Sequence, residues 1–301
     1  MKPLLSFLTL ALSTSTALAG DEARVAVMTA FAPEWKAMQD KISERQEVDI
    51  NGIKFVLGEI EGKDVVVFMS GVSMVNAAMT TQLALDNFNI SAIVFSGIAG
   101  GVNPDYHIGD VIVPARWGQY LEAVFAREVE DGKFVPPSWV KVEWPNYGMI
   151  FPRAVDVVQP DGSIKEKFWF ESDPELLKVA EKVASEMNLQ DCVEENKCLT
   201  RAPQIRVGGN GVSGQAFMDN AGFREYTYKT FEASVLDMES AAVAQVAEIN
   251  QVPFIAFRSL SDLAGGGEGE NEMATFMGLA AANSAAVVTA FLKALPDTDS
   301  E

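Results

Sequence analysis

Along this chain, short apolar runs alternate with longer stretches whose apolar positions recur at helical spacing. The runs RVAVMTA (24–30), FVLGEI (55–60), DVVVFMS (64–70), SAIVFSG (91–97), DVIVP (110–114), QIRVGG (204–209), SVLDM (234–238) and PFIAFRS (253–259) are rich in β-branched residues and bounded by Gly, Pro or Asp, which predicts strands. Helices are predicted from Glu34 to Glu44, Met74 to Asn87, Pro174 to Met187, Glu239 to Asn250 and Met273 to Leu295. Strands interleaved with helices predict a single-domain α/β fold, three layers deep, around a central mixed and twisted sheet. One segment departs from the pattern. From Trp117 to Phe170 the chain gathers Trp139, Trp144, Tyr147 and Trp169 between the prolines Pro136, Pro137 and Pro145. It reads as an aromatic-rich insertion in a domain covering 20–301, a satellite cluster by default, with a lid over a pocket or a subunit contact as alternatives.

The first residues change the picture of where the protein works. Lys2 precedes an apolar stretch from Leu4 to Leu12, and a small-residue ALA at 17–19 offers a cleavage site before Gly20. That is the layout of a signal peptide over 1–19, too short to span a bilayer, and it predicts a periplasmic or secreted protein. No later segment reads as transmembrane, so no membrane partner is expected. The formal charge of −19 argues against nucleic acid or an anionic membrane surface as a partner.

Cysteine and histidine are scarce. Cys192 and Cys198 are the only two cysteines, and in an oxidising compartment they are expected to form one local disulfide, with two free thiols as the alternative. No metal site is expected, because no second Cys pair exists and His107 is the only histidine. His107 lies in a turn leading into DVIVP, so acid–base chemistry falls to carboxylates.

Ligands of an open α/β sheet gather beyond the carboxyl ends of its strands. Four strand ends carry polar or glycine-rich residues: AFAPEW with Glu34, SGIAGG with Ile98 and Gly100, DMES with Met238 and Glu239, and RSLSD with Arg258, Ser261 and Asp262. Each alone has an ordinary explanation, since acids and hydroxyls commonly cap helices and glycines commonly make turns.

Together, SGIAGGVNPDYHIGDVIVP, GVSGQAFMDN, DMESAAVAQVAEINQVPFIAFRSLSD and AFAPEW resemble the nucleoside phosphorylase superfamily, and within it 5′-methylthioadenosine/S-adenosylhomocysteine nucleosidases and plant bark storage proteins. The resemblance runs from about Arg24 to Leu295 and is weak over 117–203. It implies that Asp262 gives a proton to purine N7, and that Glu34 activates water. It implies that Glu239 grips the ribose hydroxyls while Met238 packs on the sugar. Phe217 would stack on the base, Met218 would offer backbone contacts to it, and Arg258 and Ser261 would support the acid and the base-binding loop. Met273 and Phe276 would meet a 5′-substituent. The implied ligand is a purine nucleoside, the implied assembly a homo-oligomer, with a dimer favoured, and no cofactor is called for.

Water is the favoured nucleophile. The first loop, MTAFAPEW, has no Arg or Lys before Lys36, so a phosphate dianion would lack cations there. Phosphorolysis stays open through Arg201 or Arg206. Where the resembling nucleosidases have a serine, this chain has Ile98, a departure that bears on water positioning. A non-catalytic nucleoside-binding or storage protein is the reading from outside enzymology.

Overall fold

The computed structural model describes residues 22–194 and 197–296; the signal peptide expected at 1–19 lies outside them. Among the described residues a twelve-stranded mixed sheet forms the middle layer. Its strands are β1 (Arg24–Thr29), β2 (Ser43–Ile50), β3 (Ile53–Ile60), β4 (Lys63–Met69), β5 (Ile90–Gly101), β6 (Val111–Val113), β7 (Arg116–Gly118), β8 (Trp169–Glu171), β9 (Ile205–Val207), β10 (Asn210–Ser213), β11 (Ala233–Asp237) and β12 (Phe254–Asp262). The helices are α1 (Ala32–Gln39), α2 (Met74–Asn87), α3 (Pro174–Glu186), α4 (Ala221–Phe231), α5 (Ser240–Ile249) and α6 (Met273–Ala294).

The order along the sheet is β8-β7-β10-β11-β5-β1-β4-β3-β2, and β12 pairs with both β5 and β6. β5 is the hub. It runs parallel to β1 from Ile90 to Phe95 and parallel to β12 from Ile93 to Gly100, and its last residues, Gly100 and Gly101, also pair antiparallel with β11. The unbroken apolar runs of β1 and β12 follow from burial on both faces. Ala26 and Met28 of β1 enter the core shared with α2 and α5, whereas Val25 and Val27 enter the core under α1, α3 and α6.

One expectation at the edge is corrected. The helix predicted to run to Glu44 stops at Gln39, and Glu44 sits at φ +49 inside β2, a conformation no α-helix continues through. β2 is an exposed, charged edge strand without apolar alternation, which is why its sequence hid it. α6 has the length and mean hydropathy of a membrane-spanning helix, yet it packs on β12, β5 and α1 with Val287, Val288, Phe291 and Leu292 buried.

The aromatic segment starts and ends on the sheet. Trp117 of β7 and Phe170 of β8 are antiparallel partners, both fully buried. Between them the chain makes small antiparallel pairs, such as Ala123–Phe125 with Ile150–Pro152 and Val155–Val158 with Ile164–Lys167. Trp144 lies 4.3 Å from Phe168, which stacks on Phe231 of α4. The cluster is thus buried where it meets the sheet, with Trp144 and Trp169 half-buried, whereas Tyr147 and Trp139 stay 38% and 68% exposed. Cys192 and Cys198 are joined as a disulfide between two short antiparallel strands.

Candidate active site

Every residue of β12 is buried, including the polar ones at its end. Its register with β5 runs regularly to Leu260 opposite Ala99 and then shifts, so that Asp262 stands opposite Gly100. In a regular strand, neighbours point to opposite faces; this bulge lets Ser261 and Asp262 line one cavity. β5 must supply glycine for that approach. A Cβ on Gly97 would lie 1.8 Å from Arg258 Nη1, and one on Gly100 would lie 3.3 Å from Asp262 Oδ1.

Asp262 is 2% exposed and has only neutral hydrogen-bond donors. Its Oδ1 accepts from Ala264 N at 2.8 Å and from Asn271 Nδ2 at 3.3 Å, and its Oδ2 accepts from Ser261 Oγ at 2.9 Å. Burial pushes its pKa above the ordinary carboxylate value, and these donors offset part of that rise.

Three other carboxylates surround one guanidinium. Arg258 is fully buried beneath the ring of Phe95, 3.9 Å from its centroid. Its Nε lies 2.7 Å from Asp237 Oδ2, its Nη2 3.7 Å from Glu239 Oε2 and its Nη1 4.0 Å from Glu34 Oε1. Asp237 is further held by the hydroxyls of Ser213 and Ser240 and by Ser240 N, so it also satisfies the first N–H of α5. Glu34 accepts from Ala30 N at 2.6 Å and Ile98 N at 2.8 Å. Glu239 accepts from Ser73 N, at the start of α2, at 2.8 Å. Burial raises the pKa of Glu34, with Arg258 working against it. Burial, reinforced by Asp237 and opposed by Arg258, pushes Glu239 up to about 7.

These groups meet in a cavity of about 210 Å³ lined by Glu34, Asp237, Glu239, Ser261 and Asp262 among apolar walls. Ile98, Gly100, Phe217, Met218, Met238 and Met273 all line it. Phe276, expected to meet the 5′-substituent, does not; one turn along α6 from Met273, it is half-buried outside the lining. Arg258, expected as a support for the acid, also lies outside the lining and supports Asp237, Glu239 and Glu34 instead. Phe31, Val72 and Leu236 line the cavity without having been anticipated; apolar wall residues carry no chemical pattern to read.

Among the described residues, the lining contains no Lys, Arg or His. Arg201 and Arg206, the cations held open for phosphate, both pair with the buried Asp110 at 3.6 and 3.4 Å. No residue of 117–170 lines the cavity, so that segment is no lid over it. At position 98, an apolar side chain replaces the expected serine hydroxyl, while the backbone N–H there still holds Glu34. Among the described residues, no group of three or more His, Cys, Asp or Glu is arranged to hold a metal.

Comparison with known proteins covers almost the whole described chain. Residues 24–293 match the family model described as the phosphorylase superfamily. A 5′-methylthioadenosine/S-adenosylhomocysteine nucleosidase of Tolumonas auensis is 29% identical over 274 residues, spanning 90% of this chain and 100% of the relative. The enzyme of the same name from Staphylococcus haemolyticus is 28% identical over 272 residues, spanning 90% and 100%. Among solved structures, the Neisseria meningitidis 5′-methylthioadenosine/S-adenosylhomocysteine nucleosidase in complex with methylthio-immucillin-A superposes with a TM-score of 0.66 at 24% identity, over 91% of this chain and 100% of that one. Futalosine hydrolase of Helicobacter pylori gives 0.67 at 22%, over 91% and 98%. These structures share the mixed sheet flanked by helices.

Proposed function

The chain belongs to the phosphorylase superfamily, and from that premise we propose that it hydrolyses the N-glycosidic bond of purine nucleosides of the 5′-methylthioadenosine/S-adenosylhomocysteine type. The observation that carries this reading is the joint presence of Asp262, Glu239 and Glu34 in one buried cavity without a cation in its lining. The relatives named for that activity support it.

Asp262 is the acid. A solvent-exposed Asp, with pKa near 3.9, is almost wholly ionised at neutral pH, whereas burial favours the protonated form needed to neutralise the departing purine at N7. Glu34 takes a proton from water as that water attacks the anomeric carbon. The C1′–N9 bond breaks with its electron pair going to the base, which the proton from Asp262 neutralises. One acid and one base acting on opposite sides give inversion, the logic of inverting glycosidases. Glu239, with two acceptor oxygens, suits the vicinal ribose diol. Arg258 Nη1 and Nη2, fully buried behind the lining, lie 4.0 Å from Glu34 and 3.7 Å from Glu239 and steady both carboxylates by charge rather than by touching water or sugar. Phe217, 55% exposed at the rim, offers its face to the base, and Met273 offers an apolar wall to a 5′-thioether.

Phosphorolysis is the less supported reading, because a dianion would face carboxylates and no lining cation. The deciding experiment incubates mature protein with methylthioadenosine, S-adenosylhomocysteine, inosine and futalosine, with and without phosphate. Free base and free sugar without phosphate are expected. Sugar 1-phosphate formed only with phosphate would establish the phosphorylase, and tight binding without any base release would establish a storage or carrier protein.

Export and assembly belong to the same proposal. The mature protein begins at Gly20 in the periplasm or medium, which intact-mass measurement of the exported form tests. A dimer is supported by Val72, Val75 and Met79, which are 43%, 69% and 53% exposed at the rim of the cavity and along α2. Light scattering should give twice the chain mass; a monomer would remove this part of the reading.

A further inference from the structure

The glycine-rich stretch after β12, LAGGGEGENE (263–272), is longer than a simple strand-to-helix turn requires, and its end returns to the acid. Asn271 makes three side-chain hydrogen bonds at once. Its Oδ1 accepts from Met273 N at 2.9 Å, shaping the start of α6. Its Nδ2 donates to Asp262 Oδ1 at 3.3 Å and to Asp219 Oδ1 at 3.0 Å. Asp219 directly follows Phe217 and Met218, the expected base-binding residues. The loop is pinned there by further contacts: Asn220 N donates to Ala264 O at 3.2 Å, and a Cβ on Gly265, at φ +85, would lie 2.3 Å from Asn220 N. One amide therefore ties together the acid, the segment under the base and the first turn of the last helix.

The consequence for proton transfer is specific to one oxygen. Asp262 Oδ1 already accepts from two N–H groups, Ala264 N and Asn271 Nδ2, so neither lone-pair direction is free for a proton of its own. We infer that Asn271 is a positioning residue that reserves Oδ1 as an acceptor and leaves Oδ2 as the atom that carries and delivers the proton to the purine. The inference rests on the reading of Asp262 as the acid. In the protonated carboxyl the Ser261 hydroxyl turns to Ala99 O, 3.4 Å away, which frees the Oδ2 proton for the base. When that proton passes to N7 and the glycosidic electrons enter the purine, Ser261 swings back to donate to the new carboxylate at Oδ2. Asn271 and Ala264 hold Oδ1 through both states, so the carboxyl does not rotate between them.

The charged groups facing Asp262 are few. Glu272 of the same loop raises its pKa. Asp219 reaches it only through Asn271, and from α4 Arg224 donates to Gly101 O and borders Gly266 rather than the carboxyl. β5 presents Gly100 there.

Asn271→Asp is the test variant, because it is isosteric and keeps the acceptor for Met273 N while deleting both donated bonds. Loss of a hydrogen bond to a charged group predicts a roughly ten- to hundredfold fall in kcat, with KM changed much less. The high-pH limb of kcat should also move upward, since Asp262 loses a donor that favours its ionised form and gains a like charge. Asn271→Ala should move the limb in the same direction by less. Thermal melts of both variants establish that they fold; should Asn271→Asp not fold, Asn271→Ala carries the same two readouts. An active wild type whose folded variant keeps kcat and an unmoved limb overturns the role of Asn271 alone. A loss confined to KM with an unmoved limb overturns it too, leaving a merely structural loop. A wild type that releases no base from any nucleoside sinks the reading of Asp262 and this inference with it.

Discussion

Asp262 and the Arg258 cluster share one cavity but solve the burial of carboxylates in different ways. Around Arg258, three acids divide a single positive charge, so burial is only partly compensated and the carboxylates repel one another. Around Asp262 there is no cation at all, only an amide N–H, a carboxamide and a hydroxyl. An isolated buried carboxylate is costly, and the cheaper response is to take up a proton. The cation-free corner is thus suited to giving a proton, and the Arg258 corner to holding carboxylates that accept protons or hydroxyls. The difference lies in the neighbours, since both corners are equally dry.

The sharpest way to break this contrast is Asp262→Asn. It keeps shape and removes the transferable proton, so kcat should fall roughly 10²- to 10⁴-fold while calorimetric affinity for the nucleoside stays within a few-fold. Unchanged turnover would take Asp262 out of the acid role. Arg258→Met attacks the opposite corner. Removing one partner of a buried ionic group leaves uncompensated charge, so urea titration should show a loss of about 3–5 kcal/mol. An equally stable variant would mean that the three acids are not ionised together. A smaller effect is expected from Glu239→Gln, which should raise KM roughly ten- to hundredfold with less change in kcat. The same substitution should matter little for a substrate lacking the ribose hydroxyls.

The smallest effect concerns pH and the empty protein. In the fold, Glu239 holds its proton up to about pH 7, above its ordinary value of 4.5. Between those values the folded state binds more protons than the unfolded chain, so this group's contribution is fully present below about 4.5 and is lost as pH rises through 7. Melting temperature should therefore drop from pH 5 to pH 8, and Glu239→Gln should narrow the drop. A gap that the substitution leaves unchanged would assign it to other groups.

Much of this was readable beforehand because the chemistry sits at strand ends, where a polar residue interrupts an apolar run. Glu34, Glu239 and Asp262 stood out for that reason, and the alternation of strands and helices carried the layered fold. Other parts were hidden for physical reasons. β2 reads SERQEVDI because a solvent-exposed edge strand has no apolar face to display. β10 is four residues, Asn210–Ser213, with a glycine packed against Trp117, too short to show any period. α4 mixes aromatics and charges, and its clearest signal was the Asn220 side chain capping Phe223 N. Arg258 was expected to support the acid, but it pairs with Asp237, Glu239 and Glu34 instead, because sequence order along a strand does not show which carboxylates the other strand ends bring beside it. The bulge at Ser261 was equally invisible, since it is a matter of register with β5.

The most direct test is a carbon-13 NMR titration of the side-chain carboxyl of Asp262 in ligand-free mature protein, assigned by its loss in Asp262→Asn. The carbon should titrate with a midpoint clearly above the ordinary value near 3.9. A midpoint at or below that value would mean that the cavity stabilises the anion, and would contradict the assignment of this carboxyl as the proton donor.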